Sequence, residues 1–361
     1  MKLLFIEPFY GGSHKAFADG LIRNSAHSID LVTMPGVNWS WRTRGAAFYF
    51  AKAIKNLESY DGIITTSLMR LADLRAFTGN KLPPVMVYFH ENQLTYPLAP
   101  KEKRNQYLCM GDIGTALCAD RIVFNSNYQM TVFFEAIENN ISRVPDYPPE
   151  WILDDIRPKS TVIYPGCSFE MNNLKEKTVS YEPPLIVWNH RWSYDKNATS
   201  FFKALGILKA NSIDFRVALL GEDSGFIPQA FIQAKESLKD HIVCYGYQED
   251  RNRYLDWLKK GDIVVSTAIQ ENFGISVVEA IRYGCLPLLP ERLSYPEIIP
   301  HDLHSVFLYK SQKDFIEKLM KLSKNHHLHF NHSEILADEI NIYSWENVID
   351  LYDAAFSEMI S

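Results

Sequence analysis

Two acidic residues, Glu271 and Glu279, flank the start of a predicted helix in the second half of the chain. The stretch follows a buried-strand pattern at Asp262–Ala268 and leads into an apolar-periodic segment that ends at Gly284. Such a junction directs free backbone N–H groups and the positive end of a helix dipole at one point, which favours an anion. Glu279 would lie up to roughly 12 Å beyond Glu271. The two carboxylates could hold hydroxyl groups at the two ends of one elongated ligand with phosphates between them. An ordinary amphipathic helix with two solvated acids explains the same spacing.

Two basic residues, Arg191 and Lys196, lie just after another predicted strand and near a helix start. Arginine offers a planar fork of donors and lysine a mobile point charge, which together suit a diphosphate. A solvated surface pair is the simpler explanation, but ligands of parallel α/β sheets bind at the carboxyl ends of the strands, which favours binding. Backbone amides in the loop after Glu271 could also hold sugar hydroxyls or phosphate, at Asn272, Phe273 and Gly274.

Two clusters in the first half of the chain also follow predicted strands. Gly11 and Gly12 would let the backbone approach a ligand closely at a helix start, although a tight turn without a ligand uses the same residues. His90, Glu91 and Asn92 follow a later strand, where such polar groups are unfavourable unless they meet a ligand or one another. His90 could hydrogen-bond a sugar hydroxyl or assist proton transfer, or it could be a satisfied, half-buried histidine.

Aromatic and basic side chains interleave at Trp39, Trp41, Arg42 and Arg44, in a loop-like stretch before a helix predicted at Gly45–Leu57. Stacking on nucleobases and contact with phosphates would use this composition. Tryptophans before a helix are, however, more often part of a core. The net charge of −6 gives no overall attraction for nucleic acid, so an RNA partner would depend on a local basic patch.

Length and composition limit the classes of protein to which this chain could belong. The 361 residues can bury two cores of roughly 170 residues each. The five cysteines show no metal-ligand spacing, which predicts neither a zinc site nor a disulfide framework. Met1–Glu7 meets an acid after four apolar residues, so it is predicted as a strand and not as a signal peptide. No apolar run approaches the ~18 residues of a membrane span, and we expect a cytoplasmic enzyme with no membrane partner.

Strand-like and helix-like segments alternate along both halves of the chain. The first half has six strand-like segments, at Lys2–Phe9, Ser28–Met34, Gly62–Ser67, Val85–His90, Arg121–Asn125 and Thr161–Tyr164. The second half has six more, at Leu185–Asn189, Arg216–Leu220, Ile242–Tyr245, Asp262–Thr267, Leu286–Leu289 and Val306–Leu308. This alternation predicts an α/β fold of two doubly wound parallel sheets. A polar break at Asn172–Pro184 is the best candidate for a linker. We therefore predict a first domain at residues 1–175, a second at 176–343, and a C-terminal helix at 344–361 that could cross back onto the first domain.

Arg191 and Lys196, followed by the Glu-x7-Glu pattern of Glu271 and Glu279, are similar to the donor site of retaining family-4 glycosyltransferases with the GT-B fold. This resemblance implies two Rossmann-like domains with the active site in the interdomain cleft. It implies that Arg191 and Lys196 contact the diphosphate of a sugar nucleotide. Glu279 would hold the nucleotide ribose, and Glu271 would lie beside the transferred sugar.

Three strings in the first half, Glu7–His14, Trp39–Arg44 and Tyr88–Pro97, resemble the N-terminal domain of tRNA-queuosine alpha-mannosyltransferases, and Asn189–Asn197 fits the same family. The resemblance implies transfer of mannose from GDP-mannose to the cyclopentenediol of queuosine in the anticodon of tRNA-Asp, with retained anomeric configuration. The predicted site residues form three groups: catalytic His90, Arg191, Lys196 and Glu271; donor-binding Gly11, Gly12, Asn272, Phe273, Gly274 and Glu279; and acceptor-binding or RNA-binding Ser13, His14, Trp39, Trp41, Arg42, Arg44, Glu91 and Asn92.

The chain contains no Asp-x-Asp pair, which enzymes that bind a nucleoside diphosphate through a metal commonly use. Arg191, Lys196 and a helix dipole would then neutralise the leaving diphosphate, and we expect a metal-independent reaction with no cofactor. Retention without an obvious enzyme nucleophile indicates that the acceptor hydroxyl attacks on the face that the diphosphate leaves. The departing phosphate would take the proton, while His90 would orient the hexose.

Two other functions fit parts of the sequence. A glycosyltransferase of the same fold could use another sugar nucleotide and a lipid-linked or small-molecule acceptor. It would need a basic and apolar membrane-facing helix in the first domain, and the predicted helix at Gly45–Leu57 carries only Lys52 and Lys55. A non-catalytic RNA-binding module is the third hypothesis, and the complete donor set argues against it, because a binding module has no use for a donor site.

Overall fold

Twelve β-strands form two six-stranded sheets in the residues that the computed structural model describes, which are 1–79, 82–98, 102–169, 182–222, 225 and 227–361. The strands are β1 (Lys2–Tyr10), β2 (Ser28–Pro35), β3 (Gly62–Thr66), β4 (Val85–Phe89), β5 (Arg121–Phe124), β6 (Ser160–Val162), β7 (Leu185–Trp188), β8 (Arg216–Leu219), β9 (Ile242–Tyr245), β10 (Ile263–Val265), β11 (Leu286–Pro290) and β12 (Leu308–Tyr309). Their order is β2-β1-β3-β4-β5-β6 in the first sheet and β12-β11-β10-β7-β8-β9 in the second. All neighbouring pairs are parallel, so the predicted α/β class with two parallel sheets is confirmed.

Helices connect the strands, as parallel pairing requires. They are α1 (Gly12–Asn24), α2 (Trp39–Ala53), α3 (Leu71–Phe77), α4 (Gln106–Cys118), α5 (Asn127–Ile141), α6 (Ile152–Ile156), α7 (Ala198–Ala210), α8 (Gln229–Ser237), α9 (Arg251–Lys260), α10 (Ile275–Arg282), α11 (Tyr295–Ile298), α12 (His304–Phe307), α13 (Gln312–Asn325), α14 (Phe330–Glu339) and α15 (Trp345–Ile360). Several begin at a side-chain cap. Ser126, for example, accepts a hydrogen bond from the backbone N–H of Gln129 and so satisfies a free donor of α5. Within the described residues no helix combines the length and hydrophobicity that a membrane span needs.

The chain divides into two compact units, Met1–Ser168 with Tyr343–Ser361, and Phe169–Ile342. The predicted boundary after residue 175 lies outside the described residues. Most of the predicted linker Asn172–Pro184 lies outside the described residues. Helix α15 belongs to the first unit, although it follows the whole second unit in the chain.

Both faces of the first sheet are buried. Leu4 and Ile6 of β1 face a core beneath α2 to α5, while Leu3 and Phe5 face a core beneath α1 and α15. Successive side chains of a strand point to opposite faces, so one apolar run serves both cores. This is why β1 and its neighbours read as continuous apolar segments.

Trp345 docks α15 on the first sheet. It is 2% exposed, and its indole occupies space left by Gly20 and Gly166. A Cβ atom at either glycine would lie 2.1 Å from that ring. The hydroxyl of Tyr352 also donates to the backbone carbonyls of Ile163 and Tyr164, at 3.2 and 3.0 Å.

Two elements differ from the prediction. Helix α2 begins at Trp39, so Trp39–Arg44 forms its first turns and not a loop. The left-handed Asn38 (φ 54°) precedes it, and the guanidinium of Arg42 donates to the Pro35 carbonyl, which ties the first turn to the end of β2. The strand predicted at Val306–Leu308 is shifted, because Val306 lies in α12 and β12 begins at Leu308.

Candidate active site

Lys196 lies at the centre of a buried charge cluster in the second unit. Its Nζ atom donates to the Gln270 carbonyl at 2.8 Å and lies 3.1 Å from both Glu271 Oε2 and Asp195 Oδ2. Burial by itself lowers the pKa of Lys196, but the carboxylates of Glu271 and Asp195 outweigh this effect and raise that pKa above its usual value. Lys196 is therefore a charged ammonium at neutral pH, in direct contact with Glu271.

Asp195 also belongs to this cluster, although it was not predicted as a site residue. Burial opposes ionisation of its carboxyl, yet Lys196 and the Ser193 hydroxyl, 2.6 Å from Oδ1, hold its pKa below the usual range. The Asp195 carbonyl accepts from the backbone N–H of Ile269 at 2.7 Å. The turn that carries Lys196 is thus fixed to the segment before Glu271.

His190 fixes the end of β7 to the start of α10. Its Nε2 atom lies 3.1 Å from the Val265 carbonyl oxygen, which can only accept, so the proton of the neutral ring is on Nε2. The Nδ1 atom then accepts from the Ser276 hydroxyl at 3.3 Å. Burial, followed by the charge of Lys196, lowers the pKa of His190 to about 4. The ring is neutral at physiological pH, and the two hydrogen bonds hold it in position.

The loop from Glu271 to Gly274 leads into α10, as predicted. Gly274 has a φ of 103°, and a Cβ atom there would lie 3.2 Å from Tyr295. A glycine is therefore required by both conformation and space. Phe273 is buried and its carbonyl accepts from Ser294, while Gln270 donates to Asn272 Oδ1 at 2.8 Å. For Phe273 and Gly274, only backbone groups at the start of α10 are suited to meet a ligand.

Glu279 lies inside α10, and two residues of α9 hold its carboxylate. Arg251 forms an ion pair with Oε1, and the Tyr254 hydroxyl donates to Oε2 at 3.0 Å. Burial lowers the pKa of Arg251, but Glu279 outweighs this effect and raises it above the usual value. A carboxylate has about four acceptor positions, so Glu279 can still accept from ligand hydroxyls. Arg251 and Tyr254 were not predicted as site residues, because no local pattern in α9 distinguishes them.

A pocket with a volume of ≈ 280 Å³ connects Arg191 with Glu279. Gly221 and Tyr247 are among the other residues of its wall. A Cβ atom at residue 221 would lie 1.6 Å from the His190 carbonyl, so the glycine permits this close approach of two backbones. The second unit therefore groups the four predicted residues in two pairs: Lys196 contacts Glu271, and Arg191 and Glu279 line the same pocket.

In the first unit, the carboxyl ends of β1 and β4 bring His14 and His90 together. Their rings lie 3.9 Å apart between centroids, tilted by 33°. His14 Nδ1 lies 3.3 Å from Glu7 Oε1, which also accepts from the backbone N–H of Phe9 and the hydroxyl of Thr66. Burial, and secondarily His14, hold the pKa of His90 well below its usual range, so His90 is neutral at physiological pH. Glu7 was missed as a site residue, although an acid inside a buried apolar strand is itself a signal.

Glu7, His14 and His90 form a group of described residues whose ligand atoms lie within 4.8 Å of one another and could hold a metal ion. Carboxylate and imidazole are suitable ligands for zinc. The rings of His14 and His90 are also in close contact with each other, with centroids 3.9 Å apart and a tilt of 33°. The same three side chains can therefore serve as a histidine pair supported by Glu7 or as a set of metal ligands.

The segment after His90 is held by buried hydrogen bonds. Asn125 donates to the His90 carbonyl at 3.0 Å, and Ser67 donates to the Glu91 carbonyl at 2.9 Å. Asn92 is buried, and its Oδ1 atom accepts from the backbone and hydroxyl of Thr95. Asn92 therefore shapes the turn, whereas Glu91 is partly exposed and available to a substrate.

Asp112 of α4 supports the same segment, although Asp112 was not predicted as a site residue. Its Oδ2 atom accepts from the backbone N–H of Gln93 at 2.5 Å. Burial raises the pKa of the Asp112 carboxyl to about 8, and Glu91 adds to this effect. A carboxyl that is largely protonated at neutral pH therefore lies behind the turn.

The remaining predicted residues of the first unit differ in exposure. Gly11 and Gly12 lie at the start of α1, where Ser13 is exposed and Gly12 has a φ of 51°. Trp39, Trp41 and Arg44 are exposed on α2. Arg42 is buried, and its guanidinium donates to the Pro35 carbonyl. The contact of Arg42 with RNA phosphate stays a prediction, and this internal hydrogen bond competes with it.

The fold is shared with solved glycosyltransferase structures. A sucrose-phosphate synthase from Thermosynechococcus elongatus superposes with a TM-score of 0.73 at 11% identity, covering 99% of this chain and 100% of that one. The catalytic domain of starch synthase IV from Arabidopsis thaliana gives a TM-score of 0.69 at 11% identity, covering 100% of this chain and 99% of that one. The family model described as glycosyl transferases group 1 matches residues 170–336. Together these similarities define a glycosyltransferase with the GT-B fold.

The first unit defines the family more narrowly. The model described as tRNA-queuosine alpha-mannosyltransferase N-terminal matches residues 2–167. A tRNA-queuosine alpha-mannosyltransferase of Drosophila melanogaster is 33% identical over 327 residues, which cover 88% of this chain and 85% of that protein. The chain belongs to the tRNA-queuosine alpha-mannosyltransferase family.

Proposed function

We propose that this protein transfers mannose from GDP-mannose to the cyclopentenediol of queuosine in tRNA-Asp, with retention of configuration. The observation that carries the proposal is the contact of a charged, buried Lys196 with Glu271, beside a pocket that joins Arg191 to Glu279. Family membership supplies the acceptor class, because the similar protein is named for tRNA-queuosine. Because the acceptor would be a tRNA, we propose that the reaction takes place in the cytoplasm.

The second unit would bind the donor and stabilise the leaving group. The ammonium of Lys196 and the guanidinium of Arg191 would bind the diphosphate, which gains negative charge as the bond between sugar C1 and phosphate oxygen breaks. The acceptor hydroxyl forms the new bond to C1 on the same face, and its proton passes to the departing diphosphate. Glu271 would meet hydroxyls of the hexose, since Lys196 holds its carboxylate in place. The protein acts mainly by positioning and charge stabilisation.

The carboxylate of Glu279 would accept from the ribose hydroxyls of the nucleotide. Its fixed orientation between Arg251 and Tyr254 favours this role, because a bound hydroxyl then meets a carboxylate that has no rotational freedom to lose. In the first unit, neutral His90 is suited to exchange hydrogen bonds with a substrate hydroxyl without adding a charge. Glu91 is the nearest partly exposed acid in the sequence and would contact the acceptor diol.

We also propose that the transfer needs no metal ion. Two cationic side chains and the start of α10 supply the charge that a divalent ion would otherwise provide. Activity should persist after dialysis against EDTA. Complete loss that added magnesium restores would contradict this proposal, and restoration by zinc alone would point to Glu7, His14 and His90 instead.

A transfer assay with GDP-mannose and queuosine-containing tRNA tests the function directly. The tRNA is digested to nucleosides and weighed by mass spectrometry, with Lys239→Ala as an exposed control variant. We expect one hexose on queuosine in the wild type and the control, and none with Arg191→Ala or Lys196→Ala. Hydrolysis of GDP-mannose without transfer would keep the donor assignment and reject the acceptor. No binding of any sugar nucleotide would reject the donor site.

A further inference from the structure

The outer face of α2 presents aromatic and cationic side chains alternately along one stripe. Trp41, Arg44, Phe48 and Lys52 follow one another at spacings of three, four and four residues, which places them within an arc of about 80° and over about 16 Å of helix. Trp41 and Phe48 are 59% and 58% exposed, and the two cations are exposed as well. The opposite side of α2 is buried in the core of the first unit.

Further aromatic rings extend this surface. Phe77 of α3 is 49% exposed and stacks on Phe48, with ring centroids 4.8 Å apart at 30°. Trp41 lies against Gly45, where a Cβ atom would approach its indole to 2.8 Å, so the ring lies along the helix. We call the set of exposed side chains the α2 surface; it consists of Trp39, Trp41, Arg44, Phe48, Tyr49, Lys52 and Phe77.

The charge of this segment contrasts with that of the chain. Residues 39–55 contain Arg42, Arg44, Lys52 and Lys55 and no acidic residue, whereas the whole protein has a net charge of −6. Arg42 is used internally, which leaves Arg44, Lys52 and Lys55 exposed. This is the local basic patch that binding to a polyanion requires in an acidic protein.

The α2 surface also begins beside the acceptor-side cluster. The backbone of Gly36, just before α2, touches that of Gly11, and a Cβ atom on Gly36 would lie 2.7 Å from the Gly11 Cα. Gly11 directly precedes α1, which carries His14. A chain bound along α2 would therefore start at the same sheet edge as His14 and His90.

We propose that the α2 surface binds unpaired nucleotides of the RNA acceptor next to the modified base. This inference rests on the proposed function for its substrate class. Exposed aromatic rings stack on unpaired bases regardless of sequence, and cations spaced between them meet the connecting phosphates. A membrane-binding helix instead segregates its apolar and cationic residues onto different faces. Here both kinds share one stripe, and the exposed apolar side chains on it are aromatic.

Two double variants separate stacking from charge. Trp41→Ala with Phe48→Ala removes rings and keeps the charge, whereas Arg44→Ala with Lys52→Ala does the reverse. Controls are Leu351→Ala, an exposed apolar residue of α15, and Lys239→Ala with Lys324→Ala in the second unit. The readouts are binding of an anticodon stem-loop RNA at several salt concentrations, KM for queuosine-containing tRNA, and binding of GDP-mannose.

We expect the aromatic double variant to weaken RNA binding at least about tenfold with an unchanged salt dependence. The cationic double variant should lower the slope of log affinity against log salt by about one to two. GDP-mannose binding should be unchanged in both. RNA affinity equal to that of the controls in both variants would overturn the proposal, and so would loss of binding to vesicles of anionic phospholipid without loss of RNA binding. Stem-loop affinity is measured without turnover, so a wild type that binds RNA through α2 but adds no hexose would reject the proposed function alone.

Discussion

Replacing Lys196 with alanine is expected to leave the carboxylates of Glu271 and Asp195 without the cation that they share. Glu271 and Asp195 each lie 3.1 Å from the ammonium, in a cluster where Lys196 is 7% exposed. Removing one partner of a buried ion pair costs about 3–5 kcal/mol, because the other charge stays buried without compensation. Partial exposure of the Glu271 side chain, at 18%, places the expected loss at the lower end, about 3 kcal/mol in the free energy of unfolding of the second unit.

A second substitution distinguishes charge from shape. Lys196→Ala with Glu271→Gln leaves one uncompensated carboxylate in place of two, so part of the lost stability should return. Turnover should not return, because the leaving diphosphate still lacks the ammonium. Stability and activity therefore move apart in the double variant.

The pH dependence follows from the same pair of charges. The pKa of Asp195 is lowered in the folded protein, so its stabilising effect is present above the unfolded value of about 3.9 and is lost as the pH falls through the folded value. The pKa of Lys196 is raised, so its contribution is complete below about 10.4 and is lost only at higher pH. Without Lys196, burial raises the pKa of the Asp195 carboxyl, so the stability difference between wild type and Lys196→Ala should shrink as the pH falls.

Urea unfolding followed by hydrogen–deuterium exchange can assign the change to the second unit, with Lys239→Ala as the control. A stability difference below about 0.5 kcal/mol would refute the buried-pair argument. A difference that grows on acidification would show that the carboxylates are not the groups left unpaired.

Three further predictions test other parts of the molecule. Glu279→Ala should raise KM for the sugar nucleotide with a smaller effect on kcat, measured by donor titration, whereas a selective loss of tRNA affinity would contradict its ribose role. The raised pKa of Asp112 makes its ionised form unfavourable in the fold, so wild-type stability should fall as pH rises from about 4 to about 8. Asp112→Asn should make stability, measured by chemical unfolding at each pH, depend less on pH. An unchanged pH dependence would assign the effect to other groups. Gly166→Ala should destabilise the first unit by about 1–3 kcal/mol through overlap with Trp345, while Gly114→Ala in open space on α4 serves as the control in thermal unfolding.

Much of the fold follows from local patterns. Mainly apolar segments of three to eight residues predicted the strands to within two residues of their ends, because strands of a parallel sheet are buried on both faces. The start of α2 was missed. Asn38 occupies its N-cap position but is left-handed and makes no side-chain cap hydrogen bond, and the first turn depends on Arg42 binding Pro35. These are contacts between segments, which no local pattern contains.

The candidate site shows the same division. Lys196, Glu271 and Glu279 could be predicted because they follow strands of a parallel sheet or lie in the helix after one. Arg251 and Tyr254 could not, since they reach Glu279 from a neighbouring helix. The contact of His14 with His90 depends on the order β1-β3-β4, which sequence spacing does not determine.

The return of α15 to the first unit has a consequence for how the protein is made. A ribosome completes residues 1–168 early, yet Trp345 and Tyr352, which cover one face of that sheet, emerge only after the entire second unit. Until then the growing chain exposes an apolar surface around Phe5, Phe17 and Tyr88. The first unit therefore stays incomplete until the end of translation, and we expect chaperones to bind its exposed apolar surface. A stop codon just before α15 would remove only the last seventeen residues and yet expose the core of the unit that was synthesised first.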